Sequence, residues 1–219
     1  MTASSLGTDG TLEAARAALV EEFAGVFSAD TVAECLEESY QQLLPARVTG
    51  YLPLLAHRFA RERLRAASRA DARHRGQEAV AEGRVPLVLF VCGANSGRSQ
   101  LAAALLAHEA GGRVEVASAG TAPVGEVQPE VTQVLTELGI DTGELFPKPL
   151  TQQVQTGADV VITMGCAEHL ELGAEPHRYL DWGVADPAGM DLAGVREVRD
   201  DIARRVHDLT AELVTPAQG

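Results

Sequence analysis

The sequence has few cysteines, no long apolar run and a deficit of basic residues. Its three cysteines, at positions 35, 92 and 166, lie far apart and do not suggest the disulfide framework of a secreted protein, so a reducing cytosol is favoured. No apolar run reaches the length of about 18 residues that a membrane-spanning helix needs, and the N-terminus does not resemble a signal peptide. The net charge of −13 argues against nonspecific nucleic-acid binding. These absences predict a cytoplasmic protein with neither a membrane nor a nucleic-acid partner.

The charge is unevenly distributed along the chain. Residues 1–45 are acidic, whereas residues 58–75 carry seven arginines. This shift predicts two units, a three-helix bundle over residues 1–80 and a second domain over residues 84–219, joined near residues 76–85. The arginine positions wind around a helix rather than forming one stripe. We therefore expect a solvated helix that pairs with the two acidic helices before it.

Apolar residues in the first unit recur with helical spacing. They are Leu12, Ala15, Leu19, Phe23 and Val26 in the first helix, and Val32, Cys35, Leu36 and Leu43 in the second. Pro53 suits the first turn of a third helix. Short amphipathic helices bury little area alone, so we expect them to pack on the second unit or on another copy of the chain. Cys35 is expected to be a core residue.

The second unit alternates between strand and helix patterns. The strand patterns are "VPLVLFV", "RVEVASAG", "ADVVITMG" and "HRYLDW", and the helix patterns are "SQLAAALLAHEA", "QPEVTQVLTELG" and the final "LAGVREVRDDIARRVHDLTAELV". This order predicts an α/β fold with a parallel sheet flanked by helices. Ligands of such sheets bind beyond the carboxyl ends of the strands. Cys92, Ser118 and Cys166 fall at or just past such ends.

The first strand runs directly into Cys92, and a loop of small residues leads from there into a helix. Backbone N–H groups of such a loop converge at the helix N-terminus, where the dipole also favours an anion. Gly93 and Gly97 allow close approach of the backbone, and Arg98 adds a two-pronged donor for a tetrahedral oxyanion. The same field favours the thiolate form of Cys92, and Ser99 is placed to donate a hydrogen bond to the sulfur. No Gly-Lys-Ser/Thr follows, which excludes a nucleotide P-loop.

The pattern Cys-x5-Arg-Ser after a first strand, with Asn95 inside it, resembles the low-molecular-weight protein tyrosine phosphatase superfamily. The resemblance covers about residues 84–219 and includes "SAGT" at 118–121 and the Asp-Pro pair at 186–187. It implies a four-stranded parallel sheet with helices on both faces. It also implies that Cys92 is the nucleophile, Arg98 an oxyanion ligand and Asp186 the general acid. The predicted oxyanion-binding residues are Gly93, Ala94, Asn95, Ser96, Gly97, Arg98 and Ser99.

Phosphatases and arsenate reductases share this loop, and two features of the sequence separate them. A reductase needs a second thiol, which attacks the sulfur of the arsenic adduct and releases arsenite. The segment "TMGC" at 163–166 resembles the one that carries this second cysteine, although passive burial of Cys166 is the alternative. The phosphatases tend to place an aromatic residue after the Asp-Pro pair, where this chain has Ala188 and Gly189. Trp182 is expected in the core.

The chain also departs from the reductase pattern. Thioredoxin-linked reductases carry a third cysteine soon after the second, and residues 167–178 contain none. The absence of a third cysteine favours direct attack on the arsenic adduct by a small thiol such as mycothiol, which works with mycoredoxin. The other route is a Cys92–Cys166 disulfide that is reduced by a redoxin such as thioredoxin. Some relatives bind potassium through an acidic residue where this chain has Ala103. Cys166 and His169 are spaced like metal ligands but are too few for structural zinc, so neither a metal nor a bound cofactor is predicted.

The N-terminal helices resemble a three-helix module found before some actinobacterial arsenate reductases. This resemblance implies a homodimer formed through these helices. The leading interpretation is a cytoplasmic arsenate reductase whose loop accepts arsenate, phosphate or sulfate. A low-molecular-weight protein tyrosine phosphatase is one alternative, and a non-enzymatic oxyanion-sensing interaction protein is the other.

Overall fold

The computed structural model describes residues 3–44, 51–75, 84–167 and 178–214. In chain order the elements are α1 (Ala3–Glu22), α2 (Ala29–Leu43), α3 (Leu52–His74), β1 (Leu87–Cys92), α4 (Arg98–Ala110), β2 (Glu115–Gly120), α5 (Pro129–Thr136), α6 (Gln152–Gly157), β3 (Val160–Thr163), β4 (Arg178–Asp181) and α7 (Leu192–Val214). The strands form one parallel sheet in the order β2-β1-β3-β4, which confirms the predicted α/β class. None of the described helices is long and apolar enough to cross a membrane.

Strand β1 lies inside the sheet and is buried on both faces. One core contains its residues Val88, Phe90 and Cys92 together with side chains of α4, α5 and α7. A second core contains Leu87, Leu89 and Val91 together with side chains of α3 and α6. A parallel strand covered on both faces needs a continuous apolar run, which "LVLFVC" supplies. The register pairs Cys92 with Gly120 and Val91 with Thr163, so three strands end at the same edge.

The N-terminal helices pack against the α/β unit, which confirms one of the two expected arrangements. Their core contains Leu19, Phe23, Val32, Leu36 and Phe59, together with Phe146 from the second unit. Cys35 is buried in the same core, as predicted. Beyond this core α3 continues over the sheet, and a Cβ added at Gly157 would collide with the carbonyl oxygen of Ala66. Glycine is therefore required where α3 passes α6.

The arginines of α3 are less solvated than the sequence suggests. Arg61 and Arg65 pair with Glu22 of α1 at 2.7 and 2.9 Å, as expected for a helix facing acidic neighbours. Arg63 contradicts the prediction of solvation, because its side chain is only 3% exposed. It pairs with Glu38 of α2 at 2.6 Å. The physical reason is that α3 lies between the other helices and the sheet, so one of its faces has no access to water.

Other arginines pair with the sheet rather than with the acidic helices. Asp159, directly before β3, lies 3.6 Å from Arg69 and 3.0 Å from Arg73, and it also pairs with Arg84. Its carboxylate accepts a hydrogen bond from the Leu87 N–H at 2.8 Å. These contacts attach α3 to the amino end of the sheet, the edge opposite Cys92.

Candidate active site

The loop of residues 92–99, here called the oxyanion loop, is held from outside by the segment after β2. Four N–H groups of that segment donate to carbonyl oxygens of the loop at 2.8–3.1 Å: Thr121 to Cys92, Ala122 to Gly93, Val124 to Ala94 and Gln128 to Ser96. In a trans peptide the N–H group points away from the carbonyl oxygen, so the following N–H groups face into the loop. Within the described residues, the N–H groups of 93–98 have no backbone acceptor. These N–H groups are therefore available to an anion.

Asn95 forms the tight turn of the oxyanion loop. Its φ of 49° lies in the left-handed region, which asparagine tolerates better than most residues. Its side-chain Nδ2 donates to Ser99 Oγ at 2.9 Å, and its Oδ1 accepts from the Lys148 N–H at 2.9 Å. Gln100 Nε2 donates to the Asn95 carbonyl oxygen at 3.0 Å. Buried partners on several sides therefore fix the turn before any ligand arrives.

Cys92 lies at the base of the loop with its Sγ 3.0 Å from Ser99 Oγ. Because Ser99 already accepts a hydrogen bond from Asn95, its own proton is free to point at the sulfur. The Ser99 hydroxyl can therefore hold the Cys92 sulfur in place at the base of the loop. The structure thus places Ser99 where the sequence predicts it.

Arg98 and Asp186, 88 residues apart in the chain, meet at the mouth of the loop. Arg98 Nη2 donates to Asp186 Oδ2 at 2.8 Å. Two glycines make room for this pair. A Cβ at Gly165 would lie 2.7 Å from Arg98 Nη1, and a Cβ at Gly97 would lie 2.8 Å from the ring of Pro187. The guanidinium is therefore confined between the oxyanion loop and the segments after β3 and β4.

Cys166 lies behind the loop but belongs to the other core. Its side chain is buried among residues on the face of β1 opposite Cys92, and its Sγ donates to the Val91 carbonyl oxygen at 3.4 Å. Burial is the main cause that raises the pKa of the Cys166 thiol; the charge of Cys92 also raises it, and Arg98 opposes the shift. Cys166 is therefore a buried, protonated thiol in this state.

The structure describes all but one of the remaining positions that the sequence singled out. Trp182 is a core residue, as predicted, and its ring lies 5.5 Å from that of Phe90. Ala188 and Gly189 are exposed beside Asp186, so they provide no aromatic wall. Ala103 packs half-buried on the core and carries no side-chain oxygen. His169, considered with Cys166 as a metal-ligand pair, lies outside the described residues.

Gly120 is a site residue that sequence reasoning treated only as part of a motif. A Cβ there would lie 2.7 Å from the Gly93 carbonyl oxygen and 2.9 Å from Asn95 Cβ. Backbone cannot yield as a flexible side chain does, so Gly120→Ala must displace the oxyanion loop. We expect the phosphate dissociation constant, measured by calorimetry, to rise by about tenfold or more. Gly183→Ala, whose Cβ meets nothing within 4 Å, is the matched control, and equal affinity of the two variants would contradict this account.

The two units of the chain each match a known protein family. Residues 87–218 match the family described as low molecular weight phosphotyrosine protein phosphatase, and residues 12–68 match the protein-tyrosine-phosphatase-like N-terminal domain. The chain belongs to the low molecular weight phosphotyrosine protein phosphatase family.

Three relatives show how far the similarity extends. A thioredoxin-dependent arsenate reductase from Corynebacterium glutamicum superposes with a TM-score of 0.79 and 38% identity, covering 93% of this chain and 96% of that one. A Halobacterium salinarum protein provisionally named an arsenate reductase is 41% identical over 129 residues, 57% of this chain and 90% of the relative. An arsenate reductase in the phosphate binding state superposes with a TM-score of 0.51 and 29% identity, covering 58% of this chain and 98% of that one. The last two lack a counterpart for a large part of this chain.

Proposed function

We propose that this chain is an arsenate reductase in which Cys92 is the nucleophile and Cys166 the second redox thiol. The observation that carries the proposal is a buried second cysteine whose Sγ lies 3.4 Å from the carbonyl oxygen of Val91, the residue before Cys92. A phosphatase needs one thiol, whereas reduction of arsenate needs two. The similarity to a thioredoxin-dependent arsenate reductase over nearly the whole chain supports the same activity.

The first step is attack on arsenic. Arsenate occupies the oxyanion loop, where the N–H groups of residues 93–99 and the Arg98 guanidinium hold its oxygens. The Cys92 thiolate forms a sulfur–arsenic bond, and one oxygen departs as water after Asp186 supplies a proton. Arg98 carries five N–H donors, so it can contact the oxyanion and Asp186 together and align the acid with the departing oxygen.

The second step transfers two electrons. A second thiolate attacks the Cys92 sulfur, so a sulfur–sulfur bond forms and the sulfur–arsenic bond breaks. The electron pair of the broken bond stays on arsenic, which leaves as arsenite. Two thiols are oxidised to one disulfide while arsenic(V) becomes arsenic(III). Cys166 is protonated in this state and donates a hydrogen bond to the Val91 carbonyl oxygen. It must therefore lose its proton and turn toward Cys92 before it can attack.

The disulfide is then reduced by an external thiol donor. We propose a redoxin of the thioredoxin type, because the relative that matches nearly the whole chain is thioredoxin-dependent. Mycothiol with mycoredoxin is the alternative donor, and it would act directly on the arsenic adduct without Cys166. The reducing cytoplasm is the compartment that such donors imply.

We also propose that the N-terminal helices mediate a homodimer. Four exposed apolar side chains lie on this unit, Val26, Leu44, Tyr51 and Leu54, each between 46% and 68% exposed. Such side chains are more compatible with a covered surface than with full solvation.

The deciding experiment compares electron donors in wild type and Cys166→Ser. Arsenite production is measured with thioredoxin and its reductase, with mycothiol and mycoredoxin, and with glutathione. We expect thioredoxin to support the wild type and to fail with Cys166→Ser. Cys35→Ser, which removes a buried thiol far from the loop, is the control and should retain full activity. Thioredoxin-dependent turnover by Cys166→Ser would contradict the role given to Cys166.

A phosphatase is the second candidate, because the family is named for that activity and the Cys92–Arg98–Asp186 arrangement also suits a phosphate ester. Rapid aryl phosphate hydrolysis that is unaffected by Cys166→Ser, without arsenate reduction by any donor, would favour it. Phosphate binding without turnover of either substrate would favour an oxyanion-sensing protein instead.

A further inference from the structure

An ion pair behind the oxyanion loop joins the N-terminal helices to the segment that supports the loop. Glu62 lies on α3, and Lys148 lies in the segment before α6. Lys148 Nζ is 3.0 Å from Glu62 Oε2, and the Lys148 side chain is 10% exposed. The same ammonium lies 4.9 Å from the centre of the Phe146 ring. The Glu62 side chain is 24% exposed, so the two units are connected by a partly buried ion pair.

The backbone of Lys148 touches the oxyanion loop directly. Its N–H donates to Asn95 Oδ1 at 2.9 Å, and its carbonyl oxygen accepts the Gly120 N–H at 2.9 Å. Asn95 in turn donates to Ser99, whose hydroxyl lies 3.0 Å from the Cys92 sulfur. A continuous series of contacts therefore runs from a carboxylate on α3 to the nucleophile.

The second carboxylate oxygen of Glu62 adds a desolvation cost to this ion pair. Glu62 Oε1 is buried and has no hydrogen-bond partner among the described residues. Burial raises the pKa of Glu62, and Lys148 only partly opposes that shift. A hydrophobic pair of similar volume would avoid this desolvation penalty. The cost is consistent with a role in fixing one arrangement rather than in adding stability.

Glu62 lies outside the part of the chain that matches the phosphatase family. It falls within residues 12–68, whereas the phosphatase match begins at residue 87. Relatives that align with 57% or 58% of this chain are nearly complete without a counterpart for the rest. An oxyanion loop can therefore exist without α3, but in this chain the support of the loop is attached to it.

We propose that Glu62 is a positioning residue for the oxyanion loop. Through its ion pair with Lys148, the N-terminal helices hold Asn95 and the loop amides in the arrangement that binds the oxyanion. This inference rests on the proposed oxyanion site and gives the N-terminal helices a role beyond dimerisation. The ligand affected is a tetrahedral oxyanion, for which inorganic phosphate is the probe.

The test measures phosphate binding by calorimetry together with kcat and KM for arsenate. Glu62→Gln and Lys148→Met should each raise the phosphate dissociation constant and KM by about tenfold, with kcat within about twofold of wild type. The double variant should be impaired less than the product of the two single effects, because each single change leaves an unpaired buried group. Arg61→Gln is the matched control, since Arg61 is the neighbouring residue on α3 but pairs with Glu22 of α1.

The outcomes separate this inference from the proposed function. If Glu62→Gln binds phosphate as tightly as Arg61→Gln, or loses only thermal stability, Glu62 does not position the loop. If Glu62→Gln does not fold, Glu62→Asp replaces it, because aspartate keeps the charge but has a shorter side chain. Glu62→Asp should have a higher phosphate dissociation constant than Arg61→Gln. Equal phosphate affinity of these two variants overturns the proposal. A wild-type protein that binds no phosphate would instead overturn the oxyanion site itself.

Discussion

Replacing Cys92 with serine is expected to lower arsenate turnover by about 10³-fold or more, as removal of a catalytic nucleophile does in other enzymes. A serine hydroxyl is protonated at neutral pH and cannot form the disulfide whose formation supplies two electrons to arsenic. The loop amides and Arg98 are untouched by the change. Phosphate affinity should therefore remain within a few-fold of the wild-type value, which separates loss of chemistry from loss of the site.

The measurement pairs a coupled arsenite assay with phosphate calorimetry on the same preparation. Cys35→Ser is the control, because Cys35 is buried in the N-terminal core rather than in the loop. Turnover by Cys92→Ser at more than a few per cent of the wild-type rate would show that another group attacks arsenic. Such a result would remove Cys92 from the mechanism.

Replacing Arg98 with lysine is expected to lower kcat/KM by about 10²- to 10³-fold, the scale of losing one oxyanion donor. Lysine keeps the charge but loses the planar fork that contacts an oxyanion with two N–H groups. The shorter ammonium also cannot reproduce the 2.8 Å contact with Asp186 and bind the oxyanion in the same geometry. The acid would then no longer be aligned with the departing oxygen.

A matched surface substitution isolates this effect. Arg196 pairs with Glu137 at 2.6 Å and is 41% exposed, so Arg196→Lys changes the same chemical group away from the loop. Steady-state kinetics of both variants should show a large loss only for Arg98→Lys. Equal kcat/KM values would mean that charge alone, without the geometry of the guanidinium, is sufficient.

The secondary structure was predictable where the local pattern is strong. The apolar run of β1 and the alternation of strand and helix patterns after it were sufficient to predict the fold class. Val26 was misassigned to the apolar face of the first helix, because α1 ends at Glu22 and Gly25 has a left-handed φ of 80°. Val26 is 51% exposed as a result. Helix α6 was not predicted, because six residues carry too little periodicity for recognition.

The candidate site was predictable only as far as it is local in sequence. Cys92 and Arg98 lie in one short motif, and Asp186 followed from a resemblance. The supporting contacts are distant in the chain: Asn95 bonds to Lys148, 53 residues away, and Gln100 to Phe146, 46 residues away. No local pattern indicates such pairs. The orientation of Cys166 depends in the same way on tertiary packing.

A single-turnover experiment tests the central claim most directly. Fully reduced protein is mixed with arsenate in the absence of any external thiol, and arsenite and the intact protein mass are measured together. We expect one arsenite per chain and a Cys92–Cys166 disulfide that appears as the loss of two hydrogens, with neither product from Cys92→Ser. Arsenate bound in the loop without arsenite release and without loss of thiols would contradict it.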